Sequence, residues 1–188
     1  MIYNINNSFC DEKEAKYIID FCLTNGEPFS YNPTEYWDCR RIYNDDFRGT
    51  MIDRLINFFK NENSKLWFDF ADFKLKNFSI SLTAYYDGRY LNLHKDKSSE
   101  LTSVIVLSND FIGGDFALTE DKIPSYHFEN MDNISTFKLK LGDVITFNGS
   151  ETYHGVLPVT EGKRYALNIW MTETDFKYPK NKTSETLL

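Results

Sequence analysis

Long apolar runs, paired cysteines, histidine and basic excess are what these 188 residues lack. No stretch of 18 apolar residues occurs, so the sequence offers no membrane-spanning helix. Nor does the start read as a secretory leader. The three cysteines, Cys10, Cys22 and Cys39, are odd in number and without C-x-x-C spacing. They read as free thiols of a reducing compartment, and the expectation is a soluble cytoplasmic protein. With a net charge of −7 the chain lacks the basic stripe that phosphate contacts require, which argues against a nucleic-acid partner. Repeats, low-complexity tracts and Gly/Ser linkers are also missing, which points to one domain over residues 1–176 followed by a polar tail, 177–188.

What the chain has in quantity is aromatic mass. Phe, Tyr and Trp make up 16% of it, with 16 Phe and 12 Tyr, as in a packed globular protein rather than a disordered one. A chain this long buries roughly 70% of its unfolded surface. The N-terminal third reads as helical. Asp11 caps a helix through Leu23 with Ala15, Ile18, Ile19 and Cys22 as its apolar stripe, and Asn25-Gly26 stops it. A second helix spans about Thr50 to Asn61, with Met51, Ile52, Leu55, Ile56 and Phe59 on its buried face. Between them EPFSYNPTEYWDCRRIY reads as a loop entering a strand.

Past about Asp72 the hydrophobic period falls from 3.6 to 2. In FSISLTAYY the even positions Phe78, Ile80, Leu82, Ala84 and Tyr86 are apolar. The odd ones, Ser79, Ser81, Thr83 and Tyr85, are mostly polar, the pattern of a half-buried strand. Further strands are expected at 102–107, 114–118, 135–140, 143–147 and 164–171, punctuated by Gly113-Gly114, Leu141-Gly142-Asp143 and Glu161-Gly162. Two helices followed by seven or eight short strands predict an α+β protein with an antiparallel jelly-roll core and N-terminal supporting helices.

Of only three histidines, one stands two residues before a carboxylate, in TAYYDGRYLNLHKDKSS. On an extended chain His94 and Asp96 point to one side. His154, in SETYHGVLPV, supplies a third ligand. Two His and one carboxylate on one face of an octahedron leave three positions open, the arrangement of non-haem Fe(II) oxygenases. Ten residues past His154, Arg164 opens a strand whose even positions, Arg164, Ala166, Asn168 and Trp170, share a face. A buried cation there calls for an anion. A cosubstrate acidic at both ends fits, one end on the metal and the other on Arg164.

The ordered set YDGRYLNLHKD (86–96), SVIVLSNDFIGGDFAL (103–118) and LKLGDVITFNGSETYHGVLPVTEGKRYALNIW (139–170) resembles the prolyl 4-hydroxylase branch of the 2-oxoglutarate and Fe(II)-dependent dioxygenases. The resemblance implies a double-stranded β-helix fold and iron held by His94, Asp96 and His154. It implies that Arg164 takes the distal carboxylate of 2-oxoglutarate. Tyr86 matches the Tyr of the family's Y-x-G turn in the cofactor pocket, and Trp170, with Asn168 beside it, faces the substrate cavity. The implied reaction is hydroxylation of a C–H bond, with peptidyl-proline as substrate, O2 consumed, and succinate and CO2 released. Ascorbate is a candidate reductant. Where many members carry a Tyr, this chain has Val106, so the phenol that shares the distal carboxylate is absent there. Asp96 argues against the halogenating variant, which needs that position free.

Two other classes stand beside this reading. One is a hydroxylase of a free amino acid or other small molecule; the other is a metal-binding jelly-roll module without turnover. His127 reads as an ordinary loop residue. Tyr36, Trp37, Arg40 and Arg41 form either a substrate lid or an edge strand with solvated charges.

Overall fold

The computed structural model describes residues 3–28, 38–61, 77–97, 99–120 and 133–172. His127, Tyr36, Trp37 and the 177–188 tail lie outside the described residues. The first strand, β1 (Tyr3–Asn6), precedes α1 (Glu12–Asn25), and β2 (Glu27–Pro28) and β3 (Asp38–Ile42) lead into α2 (Asp45–Asn61). After α2 come β4 (Asn77–Tyr86), β5 (Leu91–His94), β6 (Leu101–Val106), β7 (Phe111–Gly113) and β8 (Phe116–Thr119). The last four are β9 (Ser135–Phe137), β10 (Val144–Phe147), β11 (Tyr153–Val156) and β12 (Val159–Thr172). No described helix is long and apolar enough to cross a membrane.

Helix α1 starts where the sequence places it. The Glu14 amide donates to Asp11 Oδ1 (2.8 Å) and the Asp11 amide donates back to Glu14 Oε2 (3.1 Å), a reciprocal cap that satisfies two orphan donors. Helix α2 begins earlier than its apolar stripe suggests. Asn44 Oδ1 accepts the Phe47 amide (2.9 Å), so the first turn is set by a capping side chain ahead of the stripe. The stretch read as a loop entering a strand ends in β3, whose residues pair in register with β4, Asp38 opposite Ala84 through Ile42 opposite Ile80.

The strands form two sheets. The larger runs β1-β10-β6-β12-β4-β3-β2, with β7 paired to the start of β12, and the smaller runs β5-β11-β8-β9. All the pairings are antiparallel, and the two sheets face each other as a jelly roll. Alternation along each strand of the larger sheet serves two cores. Ile80, Leu82, Ile105, Leu167, Ile169 and Met171 pack with Ile18, Leu55 and Phe59 of the helices. Tyr85, Val104, Val106, Ile145 and Ala166 pack instead with Phe116, Leu118 and Val156 of the smaller sheet.

This layering corrects one expectation. The polar face of β4 does not meet water: Ser79, Ser81 and Thr83 are buried like Ile80 and Leu82. It turns toward the second sheet, where polar side chains are needed, and the apolar face carries the helices.

Candidate functional site

His94 and His154 sit directly opposite one another where β5 pairs with β11. The pairing slips by one residue just beyond, between His154 and Val156. There a Cβ on Gly155 would come within 2.5 Å of the Leu91 carbonyl oxygen, so only glycine fits the close approach. Asp96 follows β5, its amide donating to the Gly149 carbonyl (2.9 Å). Asp96 Oδ1 lies 3.8 Å from His94 Nε2, and Oδ2 lies 3.6 Å from His154 Nε2. One ligand atom from each of the three residues falls within 4.8 Å of the others.

The imidazoles are oriented for a cation. His94 Nδ1 is 2.9 Å from the Asn92 carbonyl and His154 Nδ1 is 3.0 Å from that of Thr152. A carbonyl only accepts, so each Nδ1 carries the hydrogen and each Nε2 keeps a lone pair facing its neighbours. Burial, with His94 beside it, pushes His154 down to about 4, which keeps that ring neutral near pH 7. Phe147 and Phe116 wall His154 in, at 4.7 and 6.3 Å between ring centroids.

Deeper on the inner face of the larger sheet lies Arg164, only 1% exposed. All three guanidinium nitrogens lack a hydrogen-bond partner among the described residues. Burial lowers its pKa, with Tyr85 and Asp115 acting the other way. An unpaired buried cation costs several kcal/mol, so the site suits an incoming anion. Gly114, in the left-handed region at φ +69°, makes room, since a Cβ there would meet Arg164 Cδ at 2.8 Å.

Register explains which residues share this face. Along β12, Arg164 stands opposite Tyr85, Ala166 opposite Thr83, Asn168 opposite Ser81 and Trp170 opposite Ser79. Asn168 Nδ2 donates to Thr83 Oγ1 (3.1 Å). Trp170 Nε1 donates to Asp96 Oδ2 (3.0 Å).

Tyr86 is not among them. It stands opposite Lys163, on the outer face. Its hydroxyl donates to Asp38 Oδ2 (2.7 Å), and the Arg89 guanidinium lies 4.0 Å over its ring. The expectation that Tyr86 lines the pocket fails because the apolar side of β4 faces the helices and its polar side faces the second sheet. The inward tyrosine is Tyr85, 2% exposed, with the Arg164 guanidinium carbon 5.7 Å from its ring centroid. Its signal was in the sequence, as the cross-strand neighbour of Arg164 once β4 and β12 are paired. Val106 is buried on the same inner face, opposite Ala166. Two more residues went unnoticed, Thr102 and Gly149, and only three-dimensional contact reveals them. Arg40 and Arg41 divide between faces. Arg40 donates to the Gly26 carbonyl (3.1 Å), and Arg41 is opposite Ser81, buried and facing the site side.

Residues 80–172 match the family model described as the 2OG-Fe(II) oxygenase superfamily. Human prolyl 3-hydroxylase 2 is 34% identical over 74 residues, 39% of this chain and 10% of that protein. The chain thus matches about a tenth of that relative's length. A prolyl-4-hydroxylase of Pseudomonas putida superposes with a TM-score of 0.65 at 14% identity, over 92% of this chain and 93% of that one. HygX of Streptomyces hygroscopicus, solved with nickel, 2-oxoglutarate and hygromycin B, superposes with a TM-score of 0.63 at 14% identity, over 93% of this chain and 84% of its own. At such identities the likeness to both structures is one of fold. Residues 80–172, just under half of the chain, thus resemble a 2-oxoglutarate/Fe(II) oxygenase domain, and the chain shares its fold with a prolyl 4-hydroxylase.

Proposed function

We propose that the protein is an Fe(II)- and 2-oxoglutarate-dependent dioxygenase that hydroxylates a C–H bond, with peptidyl-proline as substrate. One observation carries the reading: a His94–Asp96–His154 cluster at the β5–β11 pair of the smaller sheet faces the inner side of β12, where Trp170 reaches Asp96 and the buried Arg164 guanidinium has no partner among the described residues. The donor set of two imidazoles and a carboxylate suits a non-haem iron with open positions. The names of the relatives support proline; the alternatives are a free amino acid or another small molecule.

His94, Asp96 and His154 would hold the metal, the two rings through their Nε2 lone pairs. Arg164 would pair with the distal carboxylate of 2-oxoglutarate, its fork of N–H donors matching two oxygens. Tyr85 lies beside that guanidinium and would add a phenol in place of the one missing at Val106. Bound there, Fe(II) would activate O2 and 2-oxoglutarate would supply two of the electrons that reduce it, so that one oxygen would enter the substrate and the other succinate, with CO2 released. Phe116 and Phe147 flank His154, and Asn168 and Trp170 lie on the inner face of β12 with Arg164.

Calorimetric titration of 2-oxoglutarate into the anaerobic Fe(II)-loaded protein tests the pocket. Incubation with O2 and a panel of proline peptides, free amino acids and other small molecules then tests turnover. The expected result is succinate together with a mass gain of one oxygen on a peptide. Gain on a free amino acid alone moves the substrate to the small-molecule class. Metal binding without succinate, on any substrate, would leave a binding module.

A further inference from the structure

The Asp96 carboxylate is held by donors that the proposed reaction does not itself use. Oδ2 accepts from Thr102 Oγ1 at 2.7 Å and from Trp170 Nε1 at 3.0 Å. Both donors come from one cross-strand pair, since Trp170 on β12 stands opposite Thr102 on β6. Ser99 Oγ lies 2.9 Å from Thr102 Oγ1. The one hydroxyl hydrogen of Thr102 goes to Asp96 Oδ2, and that of Ser99 goes to the Leu101 carbonyl at 2.9 Å. Gly149 closes the cluster from the other side. A Cβ there would sit 2.4 Å from Asp96 Oδ2 and 2.2 Å from Thr102 Oγ1.

A carboxylate oxygen accepts about two hydrogen bonds. Oδ2 has both, although it also lies 3.6 Å from His154 Nε2, while Oδ1 keeps its free directions beside His94 Nε2, 3.8 Å away. On the reading of the site as an iron centre, we propose that Trp170 and Thr102 are positioning residues that confine Asp96 to one metal-facing oxygen. The consequence is a matter of counting. Two imidazoles and one oxygen leave three of six octahedral positions, enough for a chelating 2-oxo acid and O2. A carboxylate free to swing onto the metal with both oxygens would leave two. Trp170, expected to line the substrate cavity, thereby sets how many positions stay open.

The test uses the full chain and Mn(II), an oxygen- and nitrogen-seeking ion that undergoes no turnover. Affinity is measured by calorimetry for wild type, Thr102→Val, Thr102→Ser and Trp170→Phe, with thermal unfolding as the check on folding. Valine keeps the shape of threonine and loses the hydroxyl; serine keeps the hydroxyl and loses the methyl. Loss of an outer partner of a metal ligand commonly lowers affinity 10- to 100-fold. That loss is expected for Thr102→Val and for Trp170→Phe, with Thr102→Ser within about threefold of wild type. At saturating Mn(II), 2-oxoglutarate should bind the first two about tenfold more weakly. The opposite order, with Thr102→Val tight and Thr102→Ser weak, would reduce the cluster to packing and overturn the proposal. So would wild-type affinity in both Thr102→Val and Trp170→Phe. Failure of the wild type itself to bind Mn(II) would overturn the metal reading on which the proposal rests.

Discussion

The two faces of β12 differ more than any two strands of the molecule. Leu167, Ile169 and Met171 point one way, fully buried against α1, α2 and their neighbours. Arg164, Asn168 and Trp170 point the other way, equally removed from bulk solvent in the case of Arg164; the Arg164 donors are open among the described residues, that of Trp170 goes to Asp96 and that of Asn168 to Thr83. One face is dry and self-satisfied. The other holds a buried guanidinium, and the Ser81 hydroxyl opposite Asn168, without a partner among the described residues. Stability and chemistry therefore sit back to back on one strand, one residue apart, and they respond differently to substitution.

The largest expected effect is at the metal cluster. Asp96→Ala or His154→Ala should abolish Mn(II) binding in calorimetry, because a three-ligand site cannot spare one. Next comes Arg164→Met, which should weaken 2-oxoglutarate binding by roughly 30- to 5,000-fold, the equivalent of about 2–5 kcal/mol for one partner of a buried charge pair. The same variant should unfold no more easily than wild type when no ligand is present, since apolar replacement of a buried charge is often neutral or stabilising. A lower melting temperature would show that the fold itself uses the guanidinium, and would blur the distinction between the faces.

On the opposite face, Leu167→Ala should cost about 2–5 kcal/mol of stability by chemical denaturation. Its folded fraction should bind Mn(II) as wild type does. Smaller still is the contrast between neighbouring tyrosines. Tyr85→Phe should weaken 2-oxoglutarate by roughly 10- to 150-fold, the range for a hydrogen bond to a charged group. Tyr86→Phe should leave it unchanged, because that hydroxyl serves Asp38 on the outer surface. Equal losses in both would mean that register does not decide which phenol acts.

The smallest effect lies farthest from the site. The Glu14 carboxyl is held below its ordinary value of 4.5 by the Arg54 hydrogen bond, and by the Asp11 amide. A lowered folded value means that stability is fully present above the unfolded value and is lost as pH falls through the folded one. Glu14→Gln should therefore cost less than about 1 kcal/mol at pH 7, as exposed pairs do. The gap from wild type should close as the pH is taken below the native titration of Glu14. Denaturant midpoints followed from pH 7 down through that titration measure it.

Much of this protein is legible along the chain. Capping of α1 by Asp11 and Glu14 is local, three residues apart, so it needs no tertiary knowledge. The period-2 pattern of β4 and of the second half of β12 likewise follows from side-chain alternation. The start of α2 was not, because Asn44 caps a first turn that carries little of the apolar stripe. Short β5 and β11 escaped notice for a related reason. They carry few apolar positions, and they bend at a glycine bulge whose need is a contact with another strand.

His94, Asp96, His154 and Arg164 were marked by their own chemistry, since a scarce ligand type beside a carboxylate and a cation within a strand are features of composition and spacing. Sequence could not say which face of β4 looks at them. Alternation states that two faces differ and leaves open which partner each one meets. The larger sheet is covered on both sides, by helices and by a second sheet, so apolar does not mean inward and polar does not mean wet. That single ambiguity exchanged Tyr85 for Tyr86. The pairing of β4 with β12 resolved it, as the pairing of β12 with β6 brought Trp170 and Thr102 onto one oxygen of Asp96. Ligand identity was local and readable; the second layer that holds the ligands exists only through long-range register, which hydrogen bonds between distant strands decide.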